Sequence, residues 1–335
     1  MQKQTPGKKR PAVNWAVLLR WGGTLVSLAL FLWLISRQKW DEVLNKVGGI
    51  AIWAILLAMA FYLLTTVFNT LRWCTLLWTQ GVKISFWQAY RLYWAGNFAS
   101  NFLPSTVGGD GFRMLAVHQY ARRKTISVGS VLLDRIINMT AMVCLLPAPL
   151  IIFSKFLQLR GQLFPEVSSH PKYLMTARGI WHAAEGRLAM TFIPRGVQKL
   201  FKKYFSKIIS AIRLWGSKPW AFVYAFLAAW PSNLLPFAAT YLLARQMGMH
   251  LTYWQVIGVQ TVTYFLSLLP ISINGYGVRE VAFTTLYTAL GSTLEQASTL
   301  ALVTRFLMVL STIPGAIWLN SAVTGVVWLD KDLEP

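Results

Sequence analysis

Charged side chains are scarce in this chain. Of its 335 residues only 13% are Asp, Glu, Lys or Arg, about half the share found in a soluble domain. Acidic residues are scarcer still, 11 against 32 basic ones. The only two cysteines, Cys74 and Cys144, both lie in apolar segments, which argues against a disulfide framework or a thiolate metal cluster. The four histidines are scattered without metal-ligand spacing. No GxxxxGK(S/T) loop and no GxGxxG after a strand is present, which argues against ATP-driven pumping by this chain itself. No Ser-His-Asp or Cys-His set is apparent, and neither a metal nor another cofactor is expected.

Apolar residues fill the space that charge leaves. They make up 55% of the chain, and aromatic residues alone make up 14%. Runs near Trp15 to Ile35, Ile50 to Leu71, Val131 to Phe153, Trp220 to Ala244, Trp254 to Leu269 and Leu300 to Val327 approach the roughly 20 residues that cross a bilayer. Weaker segments at Gln88 to Leu103 and Val281 to Leu290 are expected to enter it too, giving about six to eight passages. The formal charge of +21 invites a nucleic-acid reading. However, the basic residues sit in loops and termini, where lipid head groups and the positive-inside rule account for them, and no nucleic-acid partner is expected. The N-terminal residues Lys3, Lys8, Lys9 and Arg10 precede an apolar stretch too long for a signal peptide, and Ser36-Arg37-Gln38 offers no cleavage site. The expectation is an uncleaved first helix with a cytoplasmic N-terminus.

Two stretches read as copies of one another. Phe86-Trp87-Gln88 leads through an apolar run to Leu103-Pro104, then Gly109, Gly111 and Arg113. Tyr253-Trp254-Gln255 leads to Leu269-Pro270, Gly275, Gly277 and Arg279, with identical spacing from proline to arginine. A simple membrane helix avoids such residues, so repeating the interruption suggests a site built twice about a pseudo-symmetry axis. The larger unit holds about three apolar elements with the glycine-broken turn. The first copy ends in a span carrying Asp134-Arg135, and the second in a span carrying Arg305. The fold class expected is therefore all-α: a polytopic membrane bundle with two inverted repeats and broken or re-entrant helices.

The organisation follows from these limits. Residues 1–14 form a basic cytoplasmic N-terminus, 15–327 the transmembrane domain, and 328–335 a short tail. Within the domain, repeat one spans about 50–153, a basic linker 155–218, and repeat two about 219–327. The linker carries twelve Lys and Arg against Glu166 and Glu185. Its part from Arg195 to Trp215 has helical amphipathic spacing, suited either to an anionic leaflet or to a solvated helix covering the bundle. If the segment from Gln88 to Arg113 dips in and returns, Arg122, Arg123 and Lys124 face the cytoplasm and the linker lies outside. If it crosses fully, the reverse holds. The more heavily charged linker favours the second arrangement, which inverts the copies.

The motif supplies the candidate chemistry. Pro104 stops a helix, glycines open backbone angles closed to other residues, and Asp110 is placed to cap a helix beginning near Phe112. Broken backbone at membrane depth is tolerated only where it is buried in protein or lines a polar cavity, and free amides at a helix start favour anions. In and near the motifs stand Asn101, Gly108, Gly109, Asp110, Arg113, Asp134, Arg135, Asn274, Gly275, Gly277, Arg279, Glu280 and Arg305, the candidate substrate-binding set. Four arginines against three carboxylates can pair almost completely as a structural network. Alternatively, one or two guanidiniums remain to grip a phosphate in bidentate fashion. Arg113 and Arg279 are the foremost candidates for head-group contact, with Asp110 and Glu280 orienting them or, for Glu280, exchanging a proton.

With these residues in view, the chain resembles the flippase-like transmembrane family typified by the membrane half of lysylphosphatidylglycerol synthase. The likeness rests on Asn101, Leu103-Pro104, Gly108-Gly109-Asp110, Arg113, Asp134-Arg135, Gly275, Gly277 and Arg279-Glu280. It implies a bundle in the bacterial inner membrane that moves an anionic phospholipid or other lipid-linked amphiphile between leaflets, without the soluble synthase domain and without enzyme activity. The partners implied are membrane lipids and a lipid-synthesis enzyme. A membrane-embedded transferase, and an accessory or scaffold subunit of an envelope-lipid complex, are the alternatives.

Overall fold

A computed structural model of the chain describes residue 36 and residues 45–101, 106–121, 123–149, 216, 218–268 and 277–319. The expected first helix at 15–35, the amphipathic linker segment, the tail and the proline-centred turns at 102–105 and 269–276 lie outside the described residues. Asn274 and Gly275 lie there too. The described residues are helical, with no strand among them: α1 (Ile52–Thr79), α2 (Phe86–Ser100), α3 (Thr106–Ala121), α4 (Lys124–Cys144), α5 (Pro219–Gln246), α6 (Tyr253–Ser267), α7 (Val278–Ala289) and α8 (Leu294–Thr312).

Three of them are long and apolar enough to cross a membrane: α1, α4 with its continuation to Pro149, and α5. The 15 residues of α6 rise only about 22 Å, short of the roughly 30 Å hydrocarbon core. The run from Trp254 to Leu269 is therefore no complete passage by itself, contrary to its apolar length. The last run is also interrupted, because α8 ends at Thr312 and a turn at Ile313-Pro314 precedes a short helix from Gly315.

α1 and α5 form the centre. Ala54, Ala58, Tyr62, Thr66 and Thr70 of α1 are buried at four-residue intervals, as are Ala221, Ala225 and Ala229 of α5. Small side chains let two backbones approach where lipid offers no hydrophobic incentive to pack. Leu57, Leu64, Leu71 and Trp78, spaced by seven, remain exposed along another stripe of α1, which suits contact with acyl chains. The pairing is antiparallel. The carboxyl half of α1 (Trp73 to Leu77) shares a core with α2, α3, α4 and the amino half of α5 (Ala221 to Ala229). The amino half of α1 (Ala54 to Tyr62) shares the other core with α6, α7, α8 and the carboxyl half of α5. Lys218 Nζ, just before α5, donates to Thr79 O at the end of α1 across 2.6 Å.

Helix boundaries recur at a fixed interval. Both ends of α5 lie 167 residues after those of α1, and both ends of α6 lie 167 after those of α2. α2 begins with Ser85, whose hydroxyl accepts from Gln88 N at 3.2 Å while Ser85 N donates to Gln88 Oε1 at 2.9 Å. Thr252 and Gln255 make the same reciprocal pair before α6. The Trp-Gln sequences that lead into the motifs are thus helix starts, fixed by capping boxes. Gly81 and Gly248 follow α1 and α5 with φ of 75° and 72°, the left-handed geometry that ends a helix most readily at glycine.

The glycine segment corrects one expectation. Gly108, Gly109, Asp110 and Gly111 lie inside α3, which begins at Thr106, so Asp110 is not an N-cap and the break does not extend through the glycines. At Gly109 the reason for glycine is proximity instead. A Cβ on Gly109 would overlap Ser100 Oγ and the carbonyl of Gly96 on α2, and one on Gly96 would lie 2.7 Å from Arg113 Cγ. Gly109→Ala is expected to cost at least about 2 kcal/mol by prising α2 from α3. Gly111→Ala, at a position with nothing within 4 Å, is expected to be neutral or stabilising by up to about 1 kcal/mol. Denaturant titration of both variants in mild detergent checks the contrast, and equal effects would contradict the packing argument.

Candidate functional site

A polar cavity of about 420 Å³ lies between the two sets of helices, lined by residues of all eight. Among them are Asn101, Asp110, Arg113, Asp134, Arg135, Arg279 and Arg305 from the sequence-derived set. The structure therefore brings both motif arginines to one space. It also adds a cation. Arg72 lies immediately beyond the apolar run ending at Leu71, yet it belongs to the interior of the 28-residue α1 and is buried.

Asp134 organises the first half. Its Oδ1 accepts from Arg72 Nε at 2.6 Å and its Oδ2 from Arg113 Nη2 at 3.2 Å. Arg72 Nη1 also donates to Asn138 Oδ1 at 2.8 Å and Ser232 Oγ at 3.2 Å, tying α1 to α4 and α5. Arg113 Nη1 reaches Asp110 Oδ1 at 3.3 Å, and Arg135 Nε donates to the other Asp110 oxygen. The Arg113 guanidinium lies 4.4 Å from the Trp73 ring centre and 4.2 Å from that of Tyr93, a doubly aromatic setting that favours a desolvated cation. Arg113 is consequently clamped by two carboxylates and two rings, whereas the Arg135 side chain retains 28% of its exposure.

Glu280 organises the second half, differently from expectation. Its Oε2 accepts from Gly277 N at 2.7 Å and its Oε1 from Arg305 Nε at 2.6 Å. Gly277, with φ of 80°, starts α7, so this carboxylate both closes the helix start and holds α8. Its neighbour Arg279 comes only within 3.8 Å of Oε1, at 15% side-chain exposure, and its buried Nη1 has no hydrogen-bond partner. Glu280 therefore orients Arg305 rather than Arg279. Both halves use one device: an arginine of the fourth helix (Arg135 on α4, Arg305 on α8) donates through Nε to a carboxylate of the third (Asp110 on α3, Glu280 on α7).

Arg72, Arg113, Arg135, Arg279 and Arg305 stand against Asp110, Asp134 and Glu280. Among these five, Arg279 has the loosest approach to a carboxylate, 3.8 Å. The other carboxylate among the described residues, Glu295, lies in the first turn of α8. The remaining polar groups of the cavity are neutral, and Met142, Pro236, Phe237, Leu268 and Met308 add apolar surface. Gln260 donates to Thr240 at 2.7 Å, Asn138 to the Tyr264 hydroxyl at 3.2 Å, and Asn101 to Thr312 at 2.8 Å. No group of three or more His, Cys, Asp or Glu suited to a metal occurs among the described residues.

An arginine-rich polar cavity enclosed by long apolar helices defines a helical membrane protein that has taken charge into its interior. A family model for the lysylphosphatidylglycerol synthase TM region matches residues 20–315, and the chain belongs to that family, which ties it to membrane lipids. No curated protein matches the sequence.

Proposed function

We propose that the chain is a lipid translocator, moving an anionic amphiphile between leaflets of the bacterial inner membrane, with its N-terminus in the cytoplasm. The observation that carries this reading is a cavity lined by both halves and by Arg279, whose buried Nη1 has no hydrogen-bond partner and comes only within 3.8 Å of a carboxylate. Burying a charge is costly, so an incompletely paired guanidinium at such a cavity suits the receipt of an anion. The antiparallel α1 and α5, and the recurring helix boundaries about them, support two inverted repeats, with α2 and α3 of one answering to α6 and α7 of the other. Rocking of one half against the other then exposes the head group to alternate sides while its tails stay in lipid. Pro231 and Pro236 lie within α5, and Pro236 lines the cavity, where lost backbone bonds permit bending. On this reading the chain makes and breaks no covalent bond, and a lipid-synthesis enzyme supplies its cargo.

The test is reconstitution of the purified full chain into liposomes carrying a fluorescent anionic phospholipid in one leaflet. The expected result is dithionite-accessible transfer many-fold above protein-free vesicles, without nucleotide. No transfer, together with a new lipid product when two lipid substrates are supplied, would replace this reading with that of a membrane-embedded transferase. Neither transfer nor product would favour the scaffold.

A further inference from the structure

Resting on the translocator reading, we infer that the two motif arginines have parted in role. The phosphate of the cargo's head group is received by the second half alone, on Arg279 and Asn233 beside a wall of Gln260 and Thr240, while Arg113 is a fixed part of the frame.

The two halves differ at matching positions. Arg113 and Arg279 hold the same place in their motifs. The interval of 167 residues that relates α1 to α5 and α2 to α6 carries Trp73 to Thr240 and Tyr93 to Gln260. Asp134 precedes Arg135 as Thr304 precedes Arg305. The groups that enclose Arg113 are two rings at 4.4 and 4.2 Å and the Asp134 carboxylate at 3.2 Å. Their counterparts in the second half are an alcohol, an amide and another alcohol. Gln260 Nε2 donates to Thr240 Oγ1 at 2.7 Å, and Tyr62, hydrogen-bonded to Thr240, lies within electrostatic reach of Arg279. The ring beside Arg279, that of Phe283 one turn along α7, is 5.6 Å away, near the outer limit of a cation–ring contact.

Donors are left over on this side. Arg279 Nη1 and Asn233 Nδ2 are buried, belong to cavity-lining residues and have no hydrogen-bond partner. Asn233 is more than nine-tenths buried. It stands where the first half has Thr66, whose hydroxyl donates to the Tyr62 carbonyl of its own helix at 3.4 Å. The position is thus satisfied within one half and open in the other. Arg113 also has an unbonded Nε, but its other two nitrogens reach carboxylates and its side chain is 4% exposed, against 15% for Arg279. Buried donors without acceptors call for a group offering several oxygens, and a phosphate presents them in a form that a guanidinium grips well. Phe237, Leu268 and Met308 line the same cavity, which suits a phosphate carried on an apolar tail.

The experiment measures phosphatidylglycerol binding to the purified full chain in detergent by native mass spectrometry, with inorganic phosphate as a tail-free probe and thermal melting as the check on folding. Arg279→Gln is expected to weaken the lipid at least about tenfold, and Asn233→Leu about threefold, with melting unchanged. Gln260→Glu, isosteric, places a carboxylate on Arg279's side of the cavity and should displace the lipid as strongly as Arg279→Gln does. Arg113→Gln is expected to lower the melting temperature, while the folded fraction binds the lipid as the parent does. A folded Arg113→Gln protein that loses the lipid would overturn the inference. Should that variant not fold, Gln260→Glu decides, because a head group held by Arg113 would be indifferent to it. A parent that binds no phosphatidylglycerol, or an Arg279→Gln variant that binds it as the parent does, would overturn the inference too. Inorganic phosphate displacing the lipid at equal concentration would overturn the lipid-borne assignment. Binding that depends on Arg279 without transfer in liposomes would uphold the site and remove the translocator reading. Transfer that persists in Arg279→Gln would remove the site and leave the translocator.

Discussion

Asp134→Asn is expected to destabilise the protein by about 3–5 kcal/mol, measured by denaturant titration in mild detergent. The carboxylate is buried and shared between Arg72 and Arg113. Neutralising it leaves two buried guanidiniums facing one another with Asp110 as the remaining counter-charge on that side. Asparagine can still accept a hydrogen bond, so the loss isolates charge rather than shape. Arg135→Gln provides the contrast. Its side chain is partly exposed, and Arg113 still serves Asp110, so a cost below about 1 kcal/mol is expected. If Asp134→Asn costs no more than Arg135→Gln, the network is not what holds the first half together.

Glu280→Gln should cost a similar amount, about 3 kcal/mol or more, and abolish transfer in liposomes. Glutamine keeps an acceptor for Gly277 N, yet the one carboxylate that both Arg279 and Arg305 approach is then neutral. The double variant Glu280→Gln with Arg305→Gln removes one charge of each sign. It should recover at least about 1.5 kcal/mol of the single loss, the signature of coupled partners in a thermodynamic cycle. Additive losses would mean that Glu280 acts through the start of α7 alone. Stability returning while transfer stays absent would mark Arg305 as part of the cargo path.

The helical membrane bundle was legible from apolar runs, because a segment such as Pro219–Gln246 needs no partner to declare itself. Arg113, Arg279, Asp134 and Glu280 were legible as charge where charge is expensive. Three things were not. Arg72 escaped because an apolar-run reading ends at the first charge, and only tertiary contacts show that α1 continues past it to Thr79. The helical course of Gly108 to Gly111 escaped because glycine signals permissiveness, and the neighbour that requires its smallness, Gly96 with Ser100, lies on another helix. The pairing of Glu280 with Arg305 rather than the adjacent Arg279 escaped for a related reason. Sequence adjacency places side chains on different faces of a helix, and 25 intervening residues carry no record of the return. The capping boxes at Ser85 and Thr252 were visible as spacing, although their meaning as helix starts was hidden within the Trp-Gln likeness.

Since α1 lends its first half to one hydrophobic core and its second half to the other, and α5 does the reverse, neither moiety is self-sufficient. A ribosome that has delivered α1 to α4 has placed the amino end of α1 in lipid with Met142 and Leu145 but without its other companions, which arrive with α5 and beyond. Severing the polypeptide anywhere between positions 155 and 218 should therefore yield two pieces that are each cleared by membrane proteases when made singly and survive when made together.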